Sequence, residues 1–108
     1  MYVWTLDSIR KTEKISQNGS VSSLPRQLIR SATSIGANYI EAQAASSRKD
    51  LTNYIHISLK SASESKFWLS LLRDLRMLTL EDASKFLEEL DEMSKILTAS
   101  LLSLKGKR

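Results

Sequence analysis

From Leu28 onward apolar side chains return every three or four positions. Leu28, Ala32, Ile35, Tyr39 and Ala42 form one stripe, and Ile29, Gly36 and Ile40 widen it. That period describes one face of an α-helix. Ser22 or Ser23 offers an N-cap, and Pro25 falls in the first turn, where its missing N–H costs nothing; the spacing predicts a helix over 24–45. Ser46-Ser47 interrupts the stripe, and Ser47-Arg48-Lys49-Asp50 reads as a capping box that opens a long helix over 48–77. One stripe of this helix runs through Leu51, Ile55, Leu59, Ala62, Leu69 and Leu72; a second adds Tyr54, Trp68 and Leu75. Thr79-Leu80-Glu81-Asp82 is another start, with acid at the positive end of the helix dipole. The helix it predicts, over 80–104, carries Ala83, Phe86, Leu87, Leu90, Met93, Leu97, Leu101 and Leu104 at spacings like a heptad seam. The sparsest pattern lies over 3–17, where Val3, Leu6 and Ile9 share a side. Gln17-Asn18-Gly19-Ser20 closes that segment, with Gly19 able to take the left-handed conformation.

No β-branched run alternates with period two, so a sheet is not supported. Short connections between long amphipathic helices make sequential neighbours antiparallel. The expectation is an all-α, antiparallel up-down-up-down four-helix bundle, with residues 1–108 forming one domain. Two stretches are rich in small residues: Gly36-Ala37 on the second helix, and Ser58, Ser61, Ala62, Ser63 and Ser65 on the third. Small side chains let helices approach closely. They fit either a tight crossing within the chain or a contact between subunits.

Composition narrows the chemistry. There is no cysteine, which excludes disulfides and thiolate metal sites, and the single histidine, His56, leaves no zinc constellation and no imidazole-based nucleophile pair. No apolar run is long enough to span a membrane. The N-terminus lacks the basic and apolar regions of a signal peptide, so a cytoplasmic protein is expected. Net charge is +4. The acids concentrate in Glu88-Glu89-Leu90-Asp91-Glu92, read as the solvated face of the last helix.

Arg30, Asn38 and Glu41 fall on the second helix, and Lys60 and Glu64 on the third; all five are expected to serve structural hydrogen bonds or ion pairs. Glu41 and Glu64 on facing helices resemble half of a carboxylate metal site, but the Glu-x-x-His motifs of di-metal bundles are missing. Neither a glycine-rich phosphate loop nor a cluster of catalytic acids is visible, so no catalytic residue, metal or cofactor is expected. Trp68 and Tyr39 suit packing, whereas Tyr2 and Trp4 suit anchoring a neighbouring subunit. In an up-down bundle the turn between helices two and three meets the C-terminus. That end would gather Arg48, Lys49, Lys105, Lys107 and Arg108, with Asp50 the nearest opposing charge. Such a patch suits RNA or DNA phosphates; a basic tail that merely aids solubility is the plainer reading. Lys11, Lys14, Arg26, Arg73 and Arg76 form a second group at the opposite end, partly offset by Glu81 and Asp82.

Gln27-Leu28-Ile29-Arg30-Ser31-Ala32, then Ser34-Ile35-Gly36-Ala37-Asn38-Tyr39-Ile40-Glu41-Ala42, then Lys60, Glu64 and Trp68-Leu69 together resemble the four-helix-bundle family typified by the 23S rRNA intervening-sequence protein. Its pattern is a Gln-Leu-x-Arg-Ser/Ala run followed by Ser-Ile-x-x-Asn-x-x-Glu. The resemblance covers about residues 24–78; the last helix matches in general character, and the N-terminal segment departs from the pattern. That family is also similar to the accessory variability determinant of diversity-generating retroelements. The resemblance implies an up-down bundle assembled as a ring, a homopentamer by preference, without a demonstrated catalytic activity. It further implies a scaffold associated with RNA or DNA, or with a protein partner. A five-membered ring would repeat the basic end five times.

Overall fold

The computed structural model describes residues 1–17 and 23–106, with the side chains of residues 16 and 17 outside that description. Among these residues four helices follow one another: α1 (Tyr2–Gln17), α2 (Leu24–Gln43), α3 (Arg48–Asp74) and α4 (Leu80–Gly106). Among the described residues there is no strand. The expected stop at Asn18-Gly19-Ser20 and a cap by Ser22 lie outside the described residues.

Cross-helix contacts fix the topology. Ser31 meets Ser65, Ser34 meets Ser61 and Ile35 meets Ser58, so α2 and α3 run antiparallel. Lys66 pairs with Asp91 while Leu51 and Ile55 share a groove with Ser100 and Leu104, so α3 and α4 do likewise. Tyr2 and Thr5 lie beside Gly36 and Ile40, which sets the start of α1 against the later half of α2. The bundle is a rod of 51 × 21 × 19 Å. At 1.5 Å per residue α3 and α4 are each about 40 Å long and α1 about 24 Å, so α1 flanks only part of the rod.

The core is the stripe set that periodicity predicts, from Leu28, Ala32 and Ile35 through Ile55, Ala62, Leu69 and Leu72 to Ala83, Phe86, Leu90 and Leu97. Serines fill the α2–α3 crossing, where a larger side chain would hold the backbones apart. Ser58 donates to the Ile35 carbonyl, Ser61 to the Ser34 hydroxyl and Ser65 to the Ser31 hydroxyl, each at 2.8 Å. An unpaired buried hydroxyl would cost about 1–3 kcal/mol, and these bonds offset that penalty. Ser58, Ser61 and Ser65 therefore serve a crossing within the chain, whereas Ser63 is exposed.

Several expectations need correcting. Trp4 is not a subunit anchor: only 3% of it is exposed, and its indole Nε1–H donates to the Phe86 carbonyl at 3.1 Å. Nor does α1 bury its Val3 side, since Val3 is 66% exposed. It buries Trp4, Ser8 and Thr12 instead, a spacing of four residues, with Ser8 donating to the Thr5 carbonyl and Thr12 to the Ser8 carbonyl. Gly36 is not in a close helix contact; a Cβ built there would meet only Thr5 Oγ1, at 4.0 Å. Ile40 and Leu75, placed on apolar stripes by period, are exposed.

The helix ends show which cap signals act. Ser47 Oγ accepts from the Asp50 N–H at 3.1 Å and Thr79 Oγ1 from the Asp82 N–H at 3.0 Å, both as expected. Ser23 precedes α2 but makes no side-chain cap bond. Helix α2 stops at Gln43 rather than 45. Helix α3 stops at Asp74 rather than 77, because Arg76 turns to φ 59° and closes a left-handed cap. There the Met77 N–H returns to the Leu72 carbonyl at 2.9 Å and the Arg76 N–H to the Arg73 carbonyl at 3.0 Å, the paired bonds of a Schellman motif.

Candidate nucleic-acid interface

Arg48 and Lys49 open α3, and Lys105 lies in the last turn of α4. Leu51 and Ile55 line a groove with Ser100, Ser103 and Leu104, so the start of α3 and the close of α4 share one end of the rod. All three cations are exposed and have no ion-pair partner among the described residues. Lys107 and Arg108 lie outside the described residues. The acids of this end are Asp50, its backbone N–H held by Ser47, and the exposed Glu41 in the last turn of α2. Arg48 and Lys49 stand at the positive end of the α3 dipole, where a cation costs stability while the free N–H groups favour an anion. The opening of α3 thus joins unpaired cationic side chains to free backbone N–H groups, while α2 and α4 close at the same end with their carbonyls.

The second basic group is more heavily paired. Lys11 Nζ lies 3.4 Å from Asp82 Oδ2, and Arg73 Nε donates to Asp74 Oδ1 at 2.9 Å. That hydrogen bond holds the Asp74 carboxyl below its ordinary range and raises the Arg73 guanidinium. Arg26, Arg76 and Lys14 are exposed. Arg10 and Lys85 belong to neither of the basic groups that the sequence suggests. They share a cleft with Asp7, Lys11, Lys14 and Asp82 on the seam between α1 and α4. The spacing of Arg10, Lys11 and Lys14 on one helix is the available signal; that α4 faces them is not legible without the turn of α1.

The five polar residues of α2 and α3 divide. Asn38 Nδ2 donates to the Ser34 carbonyl at 2.8 Å and to the Ser34 hydroxyl at 3.0 Å, extending the chain from Ser61. Arg30, Glu41, Lys60 and Glu64 are exposed and make no side-chain hydrogen bond or ion pair among the described residues. No group of three or more potential metal ligands occurs among the described residues. His56 is exposed. Trp68 packs edge-on against Phe67, ring centres 5.0 Å apart, and its buried Nε1–H has no acceptor among the described residues.

One apolar surface stands apart from these charges. Met1, Tyr2 and Thr5 of the chain's start and Gly36, Ala37, Tyr39 and Ile40 of α2 bound an open groove of about 480 Å³. Tyr2 is 79% exposed and Ile40 65%. No described helix is long and apolar enough to cross a membrane.

A family model described as 23S rRNA-intervening sequence protein matches residues 3–99, which extends the likeness through α1 and most of α4. Among solved structures, the chain is similar to a protein of unknown function from the S23 ribosomal protein family of Bacteroides thetaiotaomicron VPI-5482. The two are 33% identical, the match covers 91% of this chain and 94% of that one, and the TM-score is 0.77. No curated protein matches the chain.

Proposed function

The chain belongs to the 23S rRNA-intervening sequence protein family, and on that premise we propose that it is a non-enzymatic, homo-oligomeric helical scaffold of the cytoplasm. In this reading it binds RNA or DNA through repeated basic patches without reading base sequence. The observation that carries the proposal is the gathering of Arg48, Lys49 and Lys105 on one bare end, without ion-pair partners among the described residues. Cations already neutralised by carboxylates gain little from phosphate, whereas unpaired ones release counterions when they meet it. Assembly into a ring, five-membered by the family resemblance, repeats this end around an axis. The patches then act together, and their effective concentration raises avidity. The likeness to the accessory determinant of retroelements belongs to the same proposal.

The open groove of Tyr2, Gly36 and Ile40 favours a second reading, in which the same architecture binds a protein and leaves nucleic acid alone. Native mass measurement with and without a structured RNA, at two salt concentrations, separates the two. The scaffold reading expects a multimer that takes up RNA at low salt and releases it steeply as salt rises. A multimer that ignores RNA at low salt overturns the nucleic-acid part, and a monomer at tens of micromolar overturns the ring.

A further inference from the structure

We infer that the cleft between α1 and the start of α4 is a binding site for phosphate groups, clamped by Arg10, Lys11 and Lys14 from one helix and Lys85 from the other. The site is separate from the end that carries Arg48, Lys49 and Lys105, and it does not depend on ring assembly.

The cleft holds about 290 Å³ and is lined by those four cations, by Asp7 and Asp82, and by Phe86. Its charge does not balance. Asp82 is shared with Lys11 through a loose 3.4 Å pair, while Arg10, Lys14 and Lys85 are exposed without an acid partner among the described residues. Four cations thus outnumber the two carboxylates along the seam. Solvent screens repulsion among these exposed cations, and their unpaired donors stand free for an anion that enters the cleft. Among the described residues the polar bonds across it are few: one from Trp4 to the Phe86 carbonyl, and the Lys11–Asp82 pair.

A phosphate group suits these donors. It places several acceptor oxygens between the two helices. Arg10 can engage two of them with its planar fork, and the lysines act as point charges. Phe86, only 3% exposed, gives the cleft an apolar flank that excludes water from one side and strengthens the ionic contacts. The two carboxylates oppose an anion. Asp82 already has Lys11 and lies in the first turn of α4, where the helix dipole favours its charge. The surplus of cations still favours negative charge from outside the chain. The phosphate comes either from a free phosphate compound or from the backbone of a nucleic acid; both present the same chemistry to the cleft.

Two tryptophans make the test site-specific. Trp4 holds the seam itself, whereas Trp68 packs against Phe67 on α3. Inorganic pyrophosphate should move the indole N–H resonance of Trp4 saturably, leave that of Trp68 in place, and raise the melting temperature by a few degrees over sodium chloride of equal ionic strength. The triple variant Arg10→Gln/Lys14→Gln/Lys85→Gln should lose both responses while keeping its helical circular dichroism. The variant Arg48→Gln/Lys49→Gln/Lys105→Gln should keep both. An unmoved Trp4 signal, an equal effect of chloride, or a triple variant that still responds overturns the proposal. Competition by a short single-stranded RNA without terminal phosphates then identifies the source. Displacement of pyrophosphate assigns the cleft to the nucleic-acid backbone, and no displacement assigns it to free phosphate compounds. Because pyrophosphate is read directly, a failure of RNA binding at the end cluster leaves this result standing.

Discussion

Gly36 has room for a methyl group in the middle of a helix. A Cβ there meets only Thr5 Oγ1 at 4.0 Å, so Gly36→Ala removes the backbone entropy of a helical glycine and adds no clash. Chemical denaturation under conditions that keep the chain monomeric should show a gain of about 0.5–1 kcal/mol. The reverse is expected at Ser58, which is fully buried against the Ile35 carbonyl. Ser58→Leu forces the α2–α3 crossing apart and should lose about 1–3 kcal/mol or more. A Gly36→Ala loss as large as that of Ser58→Leu would show that the glycine lies in a close contact after all. The contrast shows what one residue's spacing reveals. The period places Gly36 at the edge of the Leu28–Ala32–Ile35 stripe. Whether an edge position is covered depends on how a neighbouring helix lies across it, and the chain pattern of α2 alone carries no record of that. Serines on α3 are legible as a close approach because several small residues recur together, where one isolated glycine has two explanations. Trp4 misleads for a related reason: near a terminus with a sparse apolar pattern, nothing local says that its indole crosses the bundle to Phe86.

Elements are easier to read than their ends. Three long stripes of period 3.6 and two side-chain caps, at Ser47 and Thr79, are strong local signals, and α2, α3 and α4 begin where those signals place them. The close of α3 is illegible because its terminator is an arginine. Arg76 holds φ 59°, a conformation that costs an L-residue about 1–2 kcal/mol and that glycine adopts freely. Arg76→Gly should accordingly stabilise the chain by roughly 1 kcal/mol, seen as a higher denaturation midpoint with an unchanged slope. The apolar period turns the wrong side of α1 inward, since its buried face is written in Trp4, Ser8 and Thr12, two of them hydroxyls that bond back to their own helix. Hydroxyl residues count as polar in any periodicity, so the apolar pattern points to Val3, Leu6 and Ile9 instead. Between α3 and α4, the Lys66 ammonium hydrogen-bonded to Asp91 holds that carboxyl below its usual range. A carboxyl depressed by folding contributes stability above its unfolded pKa, about 3.9, and loses it as pH falls through the folded value. Asp91→Asn should therefore be slightly less stable than the parent at pH 7, with the gap closing below about pH 4 in urea titrations. The effect is small because both partners stand in solvent, Lys66 and Asp91 side chains being 37% and 57% exposed.

At the scale of the molecule, the arrangement of charge and the energetics of the fold pull in opposite directions at one place. Arg48 and Lys49 occupy the first turn of α3, where the helix dipole disfavours cations by about 0.3–1 kcal/mol each, and no acid pairs with either among the described residues. The first turn of α3 sets two cations against one acid, Asp50, whereas the first turn of α4 carries two acids, Glu81 and Asp82. If the basic end meets phosphate, stability and binding must part company when its charge is removed. Arg48→Gln/Lys49→Gln should melt at the same temperature as the parent or higher, yet bind a structured RNA more weakly at every sequence tested. The slope of log affinity against log salt should flatten by about 0.7–0.9 for each phosphate that the variant no longer neutralises. Adding Lys105→Gln should weaken binding further, because Lys105 sits on the same end. In a ring the effect multiplies, since each subunit contributes the same end and a strand held by several patches is released from all of them together. A variant that melts higher but binds RNA as tightly as the parent, with an unchanged salt slope, would move the phosphate-binding surface away from this end. The α1–α4 cleft would then be left as the cationic surface to answer for it.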